Sequence, residues 1–199
     1  MQNNKTQILV EGAVMVALAT VLSFIRIIRF PWGGSVTLLS MLPICIFSIR
    51  RGTRAGLAVS FLYSLVQFGQ GVMDGILGWG LTPMMLVGCI FLDYIGAFSV
   101  LGVAGSFRKK GLPGWICGIC LAMVLRFIMH FLSGVIIWHS FGELWNGFST
   151  ENTFVYSFLY NGFYMALELI FTVAGAAALL KAPQTKRLIL PEETVSSKP

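Results

Sequence analysis

Apolar residues fall into long blocks separated by short polar breaks, and the basic residues cluster in those breaks. A bilayer core about 30 Å thick takes roughly 20 helical residues to cross. Blocks near that size run over residues 7–24, 36–49, 55–72, 82–106, 113–138 and 153–180, which predicts six transmembrane helices. The second block is short for a full crossing. The charge-free run over residues 75–92 is broken by Gly78, Gly80 and Pro83, so a bent loop is expected ahead of the fourth helix. Residues 1–5 read as a short cytoplasmic tail rather than the start of a cleaved signal peptide. After Leu180 the chain turns polar, and "LPEETVSSKP" reads as a disordered tail. The expected organisation is a single six-helix domain over residues 1–182 and a polar cytoplasmic tail over 183–199.

Composition agrees with the pattern. Hydrophobic residues make up 56% and charged residues 11% of the chain, mean hydropathy is +0.81, and a soluble domain carries about 25% charged residues. The fold class is therefore all-α integral membrane protein, multi-pass. A net charge of +6 does not signal nucleic acid here, because the basic residues sit between apolar blocks, where they orient the chain. Lys5, the Arg50-Arg51-Arg54 and Arg108-Lys109-Lys110 clusters, and Lys181, Lys186, Arg187 and Lys198 all fall on one side, which places both termini in the cytoplasm. Arg26 and Arg29 are the exceptions, read as reaching to outer headgroups or as ligand contacts. Cys45, Cys89, Cys117 and Cys120 lie within apolar blocks and read as packing residues; the Cys117/Cys120 pair has no second ligand pair to make a metal site.

A charge at mid-span costs about 2.5–3.5 kcal/mol on insertion scales, so Glu11, Asp93, Arg126, His130 and Glu168 each need a partner or a task. In "RFIMHFLSGVIIWHSF", Arg126, His130, Gly134 and Trp138 recur every fourth residue and share one helix face about 18 Å long. Gly134 leaves a gap between the rings of His130 and Trp138 into which a flat molecule fits; the alternative makes His130 an interhelical hydrogen bonder and Gly134 a packing contact. Asp93 and Tyr94 lie near the middle of the fourth block, and Asn161, Tyr164 and Glu168 line one face of the sixth. Asp93 pairs with Arg126 or serves a ligand; Glu168 pairs with an arginine or stays protonated. Trp32, Trp79, Trp138 and Trp145 all sit at outer ends, an asymmetry that favours an outward-facing aromatic cup. Aromatic walls around a buried carboxylate suit a flat cationic heteroaromatic guest.

No Walker motif, H-E-x-x-H or G-x-S-x-G occurs, so ATP hydrolysis, metal chemistry and nucleophilic catalysis find no support, and uphill import needs partners or an ion gradient. No convincing internal repeat is present, which weakens a secondary transporter built from inverted repeats. In "EGAVMVA", Ala13 and Ala17 have the small-xxx-small spacing that lets another helix approach.

These pieces in their order, "EGAVMVA", "GGSVTLLSMLPI", "SIRRG", "GLAVSFLYSLVQ", "LDYIGAFSVLGVAG", "HFLSGVIIW" and "YSFLYNG", resemble the thiamine-specific S components of energy-coupling-factor (ECF) transporters, vitamin-importing relatives of ABC systems. The resemblance implies a six-helix S-component fold with the substrate near the outer face, under the loop between the first two helices. It gives Asp93 the acidic role towards the aminopyrimidine, a place some members fill with Glu, and Tyr94 a polar contact beside it. His130 and Trp138 match residues that hold the thiazolium, Gly134 opens space, Tyr156 and Asn161 match polar contacts, and Trp32 falls in the capping loop. Ala13 and Ala17 match the motif that docks on a transmembrane T subunit driven by two ATPase subunits. No cofactor is implied, ATP being used by the partners, and the protein is not expected to be an enzyme. Ile95 stands where many members have proline and Ser64 where many have glycine, which bears on helix geometry. Rival readings are an S component for another vitamin or for an aminopyrimidine precursor, and a membrane enzyme using Asp93, His130 and Glu168.

Overall fold

The computed structural model describes residues 2–30, 34–145 and 147–182. Helix α1 spans Gln2–Phe24, so the residues read as a leading tail already form its first turn. A hairpin follows, with β1 (Arg26–Arg29) antiparallel to β2 (Ser35–Thr37). Then come α2 (Leu42–Arg51) and α3 (Thr53–Met73). A composite rod over residues 83–110 is built from α4 (Pro83–Cys89), a wide π turn (Ile90–Gly96), α5 (Ala97–Ser99) and a tighter 3-10 stretch (Val100–Lys110). Helix α6 (Gly111–Ile136), a second hairpin of β3 (Gly142–Trp145) and β4 (Phe148–Thr150), and α7 (Thr153–Lys181) complete the fold.

Four stretches are long and apolar enough to cross a bilayer: Lys5–Phe24, Thr53–Met73, Pro83–Ile136 and Thr153–Lys181. The third, 54 residues, would be about 80 Å long if straight, so it cannot be one crossing. It bends at Phe107 and reverses at Gly111, whose φ of +65° suits a residue without Cβ. The rod and α6 then lie side by side, so closely that a Cβ on Gly118 would meet the Ala104 carbonyl oxygen at 2.1 Å. The bundle thus has five long apolar rods and the short α2. At ten residues α2 is about 15 Å long, and Leu42 to Ile49 are all buried, so it fills the centre of the bundle.

Small residues let the backbones meet at that centre. The Ser48 hydroxyl donates to the Gly102 carbonyl and accepts from Gly105 N–H at 3.0 Å, and Gly56 faces the same serine. Tyr63, Phe47, Leu101, Ile119 and Met123 fill the remaining core. Basic residues gather at one end, where Glu11 pairs with Arg50 at 2.8 Å and accepts from Arg51 Nε at 2.8 Å. Both hairpins lie at the other end. There Arg26 pairs with Asp74, so it answers to a neighbouring loop rather than to headgroups.

The structure departs from the predicted spans in one place that matters for the site. Helix is expected from residue 36, but Val36 and Thr37 pair with β1, Leu39 takes a φ of +58°, and α2 starts only at Leu42. The bent loop before the fourth block is present, with Gly75 and Gly80 at φ +96° and +71° ahead of α4, capped by Thr82. The tail over 183–199 lies outside the described residues.

Candidate functional site

At the hairpin end, the wide π turn carries Asp93 towards α6. Its carboxylate collects four donors. His130 Nδ1 is 2.9 Å from Oδ1; Oδ2 accepts from Trp138 Nε1 at 3.1 Å, from the Ser133 hydroxyl, and from Cys89 Sγ at 3.3 Å. With Nδ1–H donating to the carboxylate, His130 Nε2 becomes an acceptor, and that buried atom has no partner among the described residues. Of the stripe read along α6, His130 and Trp138 therefore meet on one carboxylate from a second helix, while Arg126 and Gly134 face other partners.

Rings enclose this group. Tyr164 meets His130 edge-on at 5.9 Å, and Trp79 meets Trp138 edge-on at 5.7 Å. Tyr156, Tyr160 and Tyr164 run down α7 one turn apart: Tyr156 stacks on Tyr160 at 6.1 Å, and Tyr160 meets Tyr164 at 5.9 Å. The first hairpin is tied over α7. Gly34 N–H donates to the Tyr160 hydroxyl at 3.2 Å, Phe30 packs on Tyr164 at 6.3 Å, and Thr37 donates through both N–H and hydroxyl to Glu168 Oε1 at 2.7 Å.

Other expected site residues lie elsewhere. Gly134 does not leave an open gap: a Cβ there would meet Ser157 Oγ at 2.2 Å and Asn161 Nδ2 at 3.2 Å, so α7 fills the space and the packing alternative holds. Asn161 spends its amide on the His130 and Ser157 carbonyls, at 3.3 and 3.0 Å, locking α6 to α7. Tyr94 turns to α3, edge-on to Phe68 at 5.5 Å and seated over Gly71, because successive side chains of a helical turn diverge. Trp32 lies outside the described residues. Asp93 does not pair with Arg126, whose guanidinium stacks on Phe98 at 4.4 Å and donates to Met41 Sδ at 3.2 Å. Glu168 sits apart from Asp93 and His130, on Thr37, so these three do not assemble as acid and base. Ala13 and Ala17 are exposed on α1.

Ser133 was not singled out from sequence, Cys89 was read only as a packing residue, and Trp79 was read only as part of an outer aromatic cup. Cys89 precedes Asp93 by four residues and Ser133 follows His130 by three, spacings that share a helix face and signal both contacts. An apolar hollow of about 310 Å³ lined by Phe131, Phe154, Val155, Phe158 and Leu159 involves none of the Asp93 partners. Among the described residues no group of three His, Cys, Asp or Glu is placed to hold a metal.

The family model described as Thiamine transporter protein (Thia_YuaJ) matches residues 9–188. The chain belongs to this family. It is similar to the thiamine transporter ThiT of Bacillus subtilis (strain 168), 30% identical over 176 residues that cover 81% of this chain and 84% of that protein. The thiamine transporter ThiT of Lacticaseibacillus paracasei is 24% identical over 201 residues, 92% of each chain. A solved structure of ThiT from Listeria monocytogenes superposes with a TM-score of 0.74 at 26% identity, over 94% of this chain and all of that one. The resemblance read from the sequence motifs is borne out at the level of the family, which is a family of bacterial membrane transport proteins and not of enzymes.

Proposed function

We propose that this protein is the thiamine-binding S component of an ECF importer. It captures thiamine at the hairpin end and delivers it inward, coupled to a T subunit and two ATPase subunits that hydrolyse ATP, with no cofactor of its own. In this reading residues 1–182 form one substrate-binding domain that crosses the bilayer six times, α2 completing a crossing together with the hairpin ahead of it. Both termini are cytoplasmic, since the basic end carries Arg50, Arg51, Arg54, Arg108, Lys109, Lys110 and Lys181.

One observation carries the reading: a carboxylate in an apolar bundle, Asp93, held by His130, Ser133 and Trp138 and walled by tyrosine and tryptophan rings. A guest that is flat, cationic and rich in N–H donors satisfies each part. Its aminopyrimidine edge donates to Asp93, its thiazolium lies against the rings of His130 and Trp138, and the unpartnered His130 Nε2 accepts a further donor. Tyr156 and the capping-loop Trp32 complete the substrate contacts implied by the family, while Gly134, Asn161 and Tyr94 act indirectly, by setting how the helices behind the carboxylate's partners pack. The exposed Ala13 and Ala17 offer α1 as the docking face for the T subunit.

The test is calorimetric titration of the purified protein in nanodiscs with thiamine, followed in parallel by tryptophan fluorescence. Saturable one-to-one binding with quenching is expected. Absence of both heat and quenching sinks the proposal, and tighter binding of the free aminopyrimidine than of thiamine reassigns the substrate.

A further inference from the structure

We propose that the indole N–H of Trp138 is a built-in competitor for Asp93, which a guest's own donors must displace in order to bind. This rests on the reading of Asp93 as the carboxylate that receives the guest, and adds which bond is given up.

A carboxylate offers about four lone-pair positions, two on each oxygen. Oδ1 of Asp93 takes one donor, His130 Nδ1 at 2.9 Å. Oδ2 takes three: the Ser133 hydroxyl, Trp138 Nε1 at 3.1 Å and Cys89 Sγ at 3.3 Å. With three donors on two positions Oδ2 is overfilled, while Oδ1 keeps one position open. A guest with a single donor fits at Oδ1 without disturbing the group. A guest that presents two parallel N–H groups, as an aminopyrimidine does when it carries its proton on the ring nitrogen next to the amino group, needs both oxygens, and Oδ2 then has to give up resident donors, the most mobile first.

The three resident donors differ in how easily they leave. Ser133 is fully buried within α6, and Cys89, 1% exposed, ends α4 one turn before Asp93 on the same rod, so both are fixed by helix packing. Trp138 lies beyond Ile136, the last residue of α6, and is followed by His139, a non-glycine residue at φ +44°. Its ring is only partly buried and leans on Trp79, itself 42% exposed. Trp138 is thus the donor able to withdraw. Its ring stays beside the site as its N–H leaves the carboxylate, so the hydrogen bond given up is replaced by contact between the indole face and a cationic ring.

The experiment removes the donor and keeps the ring. Trp138 is replaced by 3-benzothienylalanine, which carries sulfur in place of the N–H, and the protein in nanodiscs is titrated with radiolabelled thiamine. The dissociation constant is expected to fall roughly two- to ten-fold, the worth of one hydrogen bond, through faster association. An unchanged or raised constant overturns the proposal. Should this variant not fold, Trp138→Phe decides by association rate alone. The rate rises if the N–H competes, whatever weaker stacking does to dissociation, and an equal or slower rate overturns the proposal. A wild-type protein that takes up no thiamine removes the site reading and the competitor together, whereas a wild type that binds while the variants fail these marks removes the competitor only.

Discussion

Helix α6 holds two ionisable residues one turn apart, Arg126 and His130, and their surroundings differ. His130 reaches Asp93, with side-chain exposures of 10% and 18%, and the carboxylate's two oxygens are engaged by groups from α4, α6 and the turn after it. Arg126 is 5% exposed and sits among Phe98, Met41 and the field of Glu168, which is fully buried. Arg126 Nε and Glu168 Oε2 have no hydrogen-bond partner among the described residues. Glu168 is held by two donors from Thr37, and removing one member of a buried set like this leaves the others unsatisfied, whereas a partly exposed, hydrogen-bonded carboxylate exchanges its donors. The Arg126/Glu168 level therefore serves folding, and the Asp93/His130 level serves binding.

The largest effect that could break this division is at Glu168. Glu168→Ala strips the acceptor of both Thr37 donors and leaves them unsatisfied in the core, at a cost of about 1–3 kcal/mol each. Thermal unfolding in detergent reads this as a large fall in Tm, with the surviving folded fraction still binding thiamine. A variant as stable as the parent would show that the first hairpin does not depend on this anchor.

Next in size is Asp93→Asn, where the effect moves from stability to affinity. An amide presents donors to donors, but His130 can adopt its other tautomer and accept from the amide nitrogen, so the bundle keeps its contacts. The charge is lost, and with it the charge-assisted bonds to a cationic guest, worth about 2–3 kcal/mol or some 30- to 150-fold in Kd. Calorimetry should show that loss with Tm nearly unchanged. Parent-like affinity would sink the assignment of Asp93 as the guest's carboxylate.

How much of this was legible beforehand follows from what each residue contrasts with. Asp93, His130 and Trp138 stand out in sequence because a charge or a polar ring in an apolar block needs a reason, and α6 periodicity puts His130 and Trp138 on one face. The π turn that aims Asp93 at them leaves no such mark, since Ile90–Gly96 looks like any apolar helix. Gly134 was open to two readings because an absent side chain says that something is close without saying what; Ser157 Oγ turns out to fill the space. The hairpins were missed for different reasons. Residues 26–29 and 35–37 are too short for a two-residue alternation to show, whereas Asn146 and Gly147 do spell a hairpin turn, although the strands they join are only four and three residues long.

The smallest expected effect sharpens the contrast between a fixed level and an exchangeable one. Helix α6 ends with the backbone N–H of Trp138 donating back to the Ser133 carbonyl at 3.1 Å, and His139, two residues past the C-cap, then takes a φ of +44°, a left-handed conformation that glycine adopts most easily. His139 is exposed and its strain is local, so His139→Gly should stabilise the protein by up to about 1 kcal/mol and raise Tm slightly. Because the bonds at Asp93 come from Trp138, Ser133, Cys89 and His130 and none from His139, the thiamine Kd should stay within about two-fold of the parent, since surface changes away from such bonds usually stay within about 0.5 kcal/mol. A large loss of affinity in a stabilised variant would mean that the tightness of this turn itself sets where Trp138 rests. The donor that leaves most readily would then be governed by the backbone beyond α6 rather than by its own hydrogen bond.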